Sequence, residues 1–214
     1  MAKTTKSFLN EIRKPEHGAL PGRQIINSVL VILLGLALGA AAKHLDFIPS
    51  NELPYLVQSL DLRNFFSRLA VWILIAVIIS VYSSTPVRAG INTFLFFLGM
   101  LTTYYAYTIY IAGFFPGDYM LIWVGLTVLS PFLAFICWYA TGEGKVSLLI
   151  SATITGVLFM QAFSFGMFYF GAISYLEVLV WLVGIAVLYK TPKQLAAMLG
   201  ASIVIAVSIK FVLP

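Results

Sequence analysis

The sequence predicts an all-α membrane protein, a polytopic transmembrane bundle of seven helices with six as the lower count, and three observations carry that prediction. Of 214 residues, 61% are hydrophobic and only 10% charged. The mean hydropathy is +0.97, far above that of soluble domains, which are roughly half apolar and a quarter charged. The apolar residues are gathered into runs near the ~20-residue length that a bilayer core demands. Proline and glycine punctuate the gaps, at Pro54, Pro86, Pro116-Gly117, Gly142, Gly144, Gly171 and Pro192, where a broken helix costs least.

Residues 1–24 form a basic leader with Lys3, Lys6, Arg13, Lys14 and Arg23, and residues 25–214 a single transmembrane helical domain. In the leader, Phe8, Leu9 and Ile12 share a helical face beside Arg13 and Lys14. That pattern suits a short helix on an anionic leaflet, with a disordered basic tail as the alternative. The first run, Ile25 to Ala42, ends in Gly39-Ala40-Ala41-Ala42, which resembles a signal-peptide cleavage site. The long basic stretch and full-length apolar run favour an uncleaved helix. The connection from Lys43 to Asn64 is the longest, and Pro54 to Leu60 within it suits an interfacial helix with proline in its first turn. The remaining runs are Phe65 to Tyr82, Ile91 to Phe115, Tyr119 to Tyr139, Val146 to Phe170, Ile173 to Tyr189 and Leu195 to Leu213. The sixth run is the shortest, hence the lower count. Runs of this length without period-two alternation exclude a β-barrel.

Orientation follows from the basic residues. A cytoplasmic N-terminus places Lys3, Lys6, Arg13, Lys14, Arg23, Arg88, Lys145, Lys190 and Lys193 inside, against Lys43, Arg63, Arg68 and Lys210 outside, nine to four. The expected location is the cell membrane, multi-pass. The net charge of +5 is scattered between apolar runs and forms no nucleic-acid patch. The expected partners are the lipid bilayer, a small-molecule solute and a membrane protein.

Polar side chains in a bilayer are expensive, so their positions direct the search for a site. Asp61, Asn64 and Arg68, spaced i, i+3 and i+7, share one face at the outer end of the second run. The bland alternative makes Asp61 a helix cap and lets Arg68 snorkel to headgroups. Tyr107 and Tyr110 end the third run, Asp118 opens the fourth, Gln161 and Ser164 close the fifth, and Glu177 opens the sixth. Together these nine residues outline an outward-facing pocket, with Arg68 holding an anionic group and tyrosines stacking on a ring or sugar face. An aromatic interfacial belt explains much of the Tyr and Trp without a ligand. Interhelical hydrogen bonding competes for Gln161 and Ser164. Gly35 and Gly39, repeated by Ala196 and Gly200, form small-xxx-small faces for close helix packing or partner contact. Ser130-Pro131 predicts a kink in the fourth run.

Enzymatic motifs are missing from the sequence. Both histidines, His17 and His44, lie outside the runs, so no intramembrane Ser-His dyad forms. HExxH, paired aspartates, a Cys/His cluster around the lone Cys137 and a Walker sequence do not occur either. The expectation is a non-enzyme without metal or cofactor. Lys210 lies near the outer end of the last run, where a mid-membrane retinal Schiff base has no place.

Leu60-Asp-Leu-Arg-Asn-Phe-Phe-Ser-Arg68, Asn92-Thr-Phe-Leu-Phe-Phe-Leu-Gly-Met100 with Tyr104-Tyr105, and Ala112-Gly-Phe-Phe-Pro-Gly-Asp-Tyr-Met120 resemble stretches of an uncharacterised family of small polytopic membrane proteins from Firmicutes. That resemblance extends over nearly the whole chain and implies location. In size, inner basic face and outer aromatic residues the chain is also similar to the substrate-binding subunits of energy-coupling-factor vitamin transporters. Those have six spans and a small-residue first helix that contacts the coupling subunit, a part Gly35 and Gly39 would play. The functional expectation is a protein that captures a small solute from the outer side, as a transporter subunit does. The alternative is a non-enzymatic accessory, regulatory or immunity-type subunit that acts by touching another protein.

Overall fold

A computed structural model of the chain describes residues 9–15, 21–114 and 117–212. Phe8, the leader's other basic residues before Leu9, and His17 lie outside them. Residues 9–12 make a helical turn. Then come α1 (Pro21–Phe47), a 3-10 turn (Ser50–Glu52), α2 (Tyr55–Ser59), α3 (Leu62–Ser67), α4 (Leu69–Val81), α5 (Pro86–Tyr110) and α6 (Gly117–Trp138). A second 3-10 turn (Tyr139–Thr141) leads to α7 (Gly144–Ala162), strands β1 (Phe163–Phe165) and β2 (Phe170–Ala172), α8 (Tyr175–Leu188) and α9 (Pro192–Val212). The fold is all-α apart from this one hairpin among the described residues.

Four helical segments are long and apolar enough to cross a membrane: Gly22–Phe47, Met120–Thr141, Gly144–Ala162 and Pro192–Val212. The other three expected spans differ from expectation in length or composition. The second breaks at Arg68, whose extended backbone (φ −93, ψ 158) separates α3 from α4. That leaves α4 with 13 residues, about 20 Å at 1.5 Å per residue against a core of about 30 Å. The sixth begins at Tyr175 and has 14 residues. The third, α5, has 25 residues, but Asn92, four tyrosines and several threonines dilute its apolar character. The fifth run stops being helical at Ala162, because Phe163-Ser-Phe-Gly and Phe-Gly-Ala172 are aromatic, glycine-punctuated segments that suit a pleated hairpin. The first helix continues past Ala42 to Phe47, so Lys43 and Asp46 are helical, one turn apart, instead of opening a loop.

Contacts divide the chain into two compact units interleaved in sequence. The first comprises 1–15, 69–82 and 136–214, the second 16–68 and 83–135.

In the second unit α1 and α5 pack backbone to backbone. A Cβ on Gly35 would collide with the Phe96 carbonyl and one on Gly39 with that of Met100, while across the contact a Cβ on Gly99 would sit 2.7 Å from Ile32 O. Thr103 Oγ1 donates to Leu36 O at 2.7 Å. Ser28 Oγ donates to Asn92 Oδ1 at 2.8 Å, and Asn92 Nδ2 to Ser83 Oγ at 3.3 Å. Thr85 caps α5 by accepting from Arg88 N at 3.1 Å, with Pro86 pre-set for the first turn. In α6, Pro131 removes the N–H that would reach Thr127 O. Ser130 Oγ donates to that carbonyl at 2.8 Å and replaces the lost bond.

In the first unit α4 is the core helix, with Ala70, Val71, Trp72, Leu74 and Val77 buried. An apolar helix of this length reads as a buried core element rather than an isolated span. Ser147, Ser151 and Thr155, one turn apart on α7, are buried, as are Met198 and Ser202 on α9. A Cβ on Gly156 would lie 2.8 Å from Ser202 O, so these two helices also approach closely. Residues 12 and 13 dock on this unit: Ile12 is buried, and Glu143 N–H donates to Ile12 O at 2.6 Å.

Candidate functional site

The site builds outward from the last turn of α1. Lys43 and Asp46 stand at i and i+3, so their side chains meet on one face, with Lys43 Nζ donating to Asp46 Oδ2 at 2.7 Å. Lys43 is only 5% exposed. Burying an ammonium is costly unless a counter-charge accompanies it, and here aromatic faces add to the carboxylate. The Lys43 ammonium lies 5.1 Å from the Tyr104 ring centroid and 5.3 Å from that of Phe114, within cation–π range. Arg63 places a second cation 3.9 Å from Asp46 Oδ1. Tyr104 Oη donates to Asp46 Oδ2 at 3.5 Å. Beside this cluster Tyr107 Oη meets His44 Nδ1 at 3.0 Å, and its ring stands edge-on to His44 and Phe47.

Two cations thus share the Asp46 carboxylate. A second acid–base pair flanks it: Asp61 accepts from Asn64 Nδ2 at 2.8 Å and lies 3.9 Å from Arg68. Asp61 occupies the N-cap position of α3 yet makes no side-chain bond to backbone there. It holds φ 52, a left-handed conformation that non-glycine residues adopt at a cost and that Asp tolerates better than most.

Of the nine residues expected to line a pocket, Asp61, Asn64 and Arg68 come together as spaced, and Tyr107 belongs to the Asp46 neighbourhood. Tyr110, at the end of α5, and Asp118, in the first turn of α6, are exposed. Gln161, Ser164 and Glu177 belong to the first unit. Gln161 is half-buried at the end of α7, and Ser164 is exposed on β1 opposite Gly171. Glu177 is fully buried. Its carboxylate takes the hydroxyl of Ser174, which itself accepts from Leu176 N–H at 3.2 Å. Ser174 thus caps the start of α8, with its hydroxyl tied to the buried Glu177 carboxylate. Lys43 and Arg63 were expected only as outer-side basic residues, and Asp46 and Tyr104 had no expected role in the site. The Lys43/Asp46 spacing was the available signal. Gly35 and Gly39 pack inside their unit, whereas Ala196 and Gly200 lie exposed on α9.

At the other end of the first unit's helices, Arg13 donates from one nitrogen to Trp138 O at 2.6 Å and Thr141 Oγ1 at 2.7 Å, and from another to Val81 O at 2.9 Å, while its guanidinium stacks 4.0 Å over Trp138. Lys190 Nζ donates to Ser147 Oγ at 3.0 Å. Burial pushes the Lys190 ammonium below its ordinary pKa; Glu143 opposes the shift and Arg13 adds to it. A cavity of about 280 Å³ opens here, lined by Glu143, Ser147, Lys190 and Gln194 among others. In the second unit an apolar groove of about 520 Å³ runs between Pro86, Gly90 and Phe94 of α5 and Pro131 and Phe135 of α6. Among the described residues no three His, Cys, Asp or Glu side chains gather as a metal site would require.

No protein-family model, curated protein or solved structure matches the chain.

Proposed function

We propose that the chain is a non-enzymatic protein of the cell membrane that captures a small anionic solute from the outer side, as the binding subunit of a transporter does. The observation that carries this reading is the buried Lys43 ammonium, held by Asp46 and by the rings of Tyr104 and Phe114 and joined at Asp46 by Arg63. A solute carboxylate or phosphate would be drawn to these two cations, bonding to Arg63 as a fork. Asp61, Asn64 and Arg68 would extend the site, and Tyr107 and Tyr110 would offer ring faces. The left-handed backbone at Asp61 supports the same location, since strain of this kind gathers at ligand sites.

The proposed topology is seven spans with a cytoplasmic N-terminus, counting α4, α5 and α8 with the four long helices. The nine-to-four distribution of basic residues supports it. So does Arg13, which ties the leader to the C-terminal ends of α4 and α6, as an even number of crossings between them requires.

The test is to purify the protein from its own host in mild detergent and analyse it by mass spectrometry. A recurrent anionic small molecule, present with the wild type and lost with a folded Arg63→Ala variant, is the expected result. No stoichiometric solute and another membrane protein in fixed ratio would replace this reading with the accessory-subunit one. The observation favouring that second reading is the exposed Ala196 and Gly200 face of α9, open to a neighbouring helix.

A further inference from the structure

The hairpin between α7 and α8 is poorly suited to water. From Phe163 to Leu176 there is no charged residue, and Met167, Phe168, Tyr169 and Phe170 are exposed by 77, 94, 58 and 67%. Contiguous aromatic surface of this kind is avoided on water-facing loops and marks contact with a membrane or another protein.

Length decides between these. The 19 residues of α7 rise about 28 Å, close to a hydrocarbon core of about 30 Å, so a hairpin that begins where α7 ends starts near the interface. β1 and β2 pair three residues apiece, Phe163 with Ala172, Ser164 with Gly171 and Phe165 with Phe170. Backbone polar groups are met across the hairpin, with Gly166 N–H donating to Tyr169 O and Ile173 N–H to Ala162 O, both at 2.9 Å. Its outer edges still need water or lipid carbonyls, which the interface supplies and the hydrocarbon centre does not. The hairpin is also fixed to the helices beneath it. Phe163 stacks on Phe170 at 5.2 Å and meets Trp181 edge-on at 5.3 Å. The first charge beyond it, Glu177, is buried and takes the Ser174 hydroxyl.

We propose that the 163–172 hairpin is an interfacial membrane finger. Its tip, residues 167–170, lies among headgroups and upper acyl chains on the side opposite Lys190. The proposal rests on the membrane-spanning reading of α7 and α8.

The test uses full-length protein with Cys137→Ser, reconstituted in phosphatidylcholine–phosphatidylglycerol vesicles. Nitroxide labels are placed at Phe168→Cys, with Leu179→Cys on the exposed face of α8 as the lipid reference and Thr191→Cys as the aqueous one. Tyr175→Cys serves if the Phe168 variant fails to fold. Power saturation is expected to show oxygen access at position 168 exceeding that of a water-soluble nickel chelate, as at 179, and a depth about 5–10 Å below the phosphates. Free access of the chelate at 168, as at 191, overturns the proposal. Exclusion of both reagents from 168, meaning that protein covers it, also overturns it. Chelate access at 179 would instead sink the membrane-spanning reading.

Discussion

Arg13 joins three chain segments through one guanidinium, and its partners lie 125, 128 and 68 residues away in sequence. Two are carbonyls at the ends of α4 and α6, groups that a helix leaves without internal donors. A charged donor to such an acceptor is worth about 1.5–3 kcal/mol, and bonds sharing one side chain do not add. Arg13→Ala is expected to cost about 3 kcal/mol, and Arg13→Lys to recover less than half, because an ammonium lacks the planar fork. Cys137, the chain's one cysteine, makes the measurement direct: unfolding in detergent is followed by its reaction with a thiol dye.

Lys190 gives a pH signature. With its folded pKa below the ordinary 10.5, both states are protonated at lower pH and the burial penalty is fully present. Between the folded value and 10.5 the unfolded chain binds more protons, so stability rises with pH. Wild-type stability is expected to rise relative to that of Lys190→Met across that window, with Glu143 and Arg13 the charged neighbours that modulate the difference in slope. Equal slopes would contradict the assignment. Neither residue's role was legible in sequence, because the partners are distant along the chain. Glu177 was legible as a polar side chain opening the sixth run, whereas its bond with Ser174 was not.

Helix positions follow from hydropathy, whereas helix ends follow from local chemistry that hydropathy averages away. The aromatic stretch after Ala162 scores as span and folds as a hairpin, and Arg68 interrupts an otherwise continuous apolar run. The small-xxx-small spacing was legible, but which copy packs inside was not. Gly35 and Gly39 meet the backbone of α5, while Gly200 has open space around it. Gly35→Ala and Gly39→Ala are each expected to destabilise by about 1–3 kcal/mol through overpacking. Gly200→Ala should be neutral, or stabilise by up to about 1 kcal/mol from helix propensity. Ser130→Ala leaves the Thr127 carbonyl without its replacement donor and should cost about 1–2 kcal/mol. The same thiol-dye melts rank all four variants, and a melt in which Gly200→Ala falls as far as Gly39→Ala would refute the packing assignment.

Across the whole molecule, composition discloses the membrane, but nothing in it discloses two interleaved units, between which the chain passes after residues 15, 68, 82 and 135. The units matter for topology through the first one. Arg13 holds the leader to the ends of α4 and α6, and Lys190 holds the chain before α9 to the start of α7. Lys14 and Thr191 should therefore lie on one side, and α9, whose 21 residues span about 31 Å, should carry Lys210 to the other. In a Cys137→Ser background, Lys210→Cys is expected to react with a membrane-impermeant maleimide in intact cells, and Lys14→Cys and Thr191→Cys only after permeabilisation. The reverse pattern would invert the orientation and leave the fold untouched. Labelling of Lys14 and Lys210 together would remove α9 as a span. A split between Lys14 and Thr191 would be the most damaging result, because no count of crossings reconciles it with the leader and the start of α9 meeting the same end of the first unit.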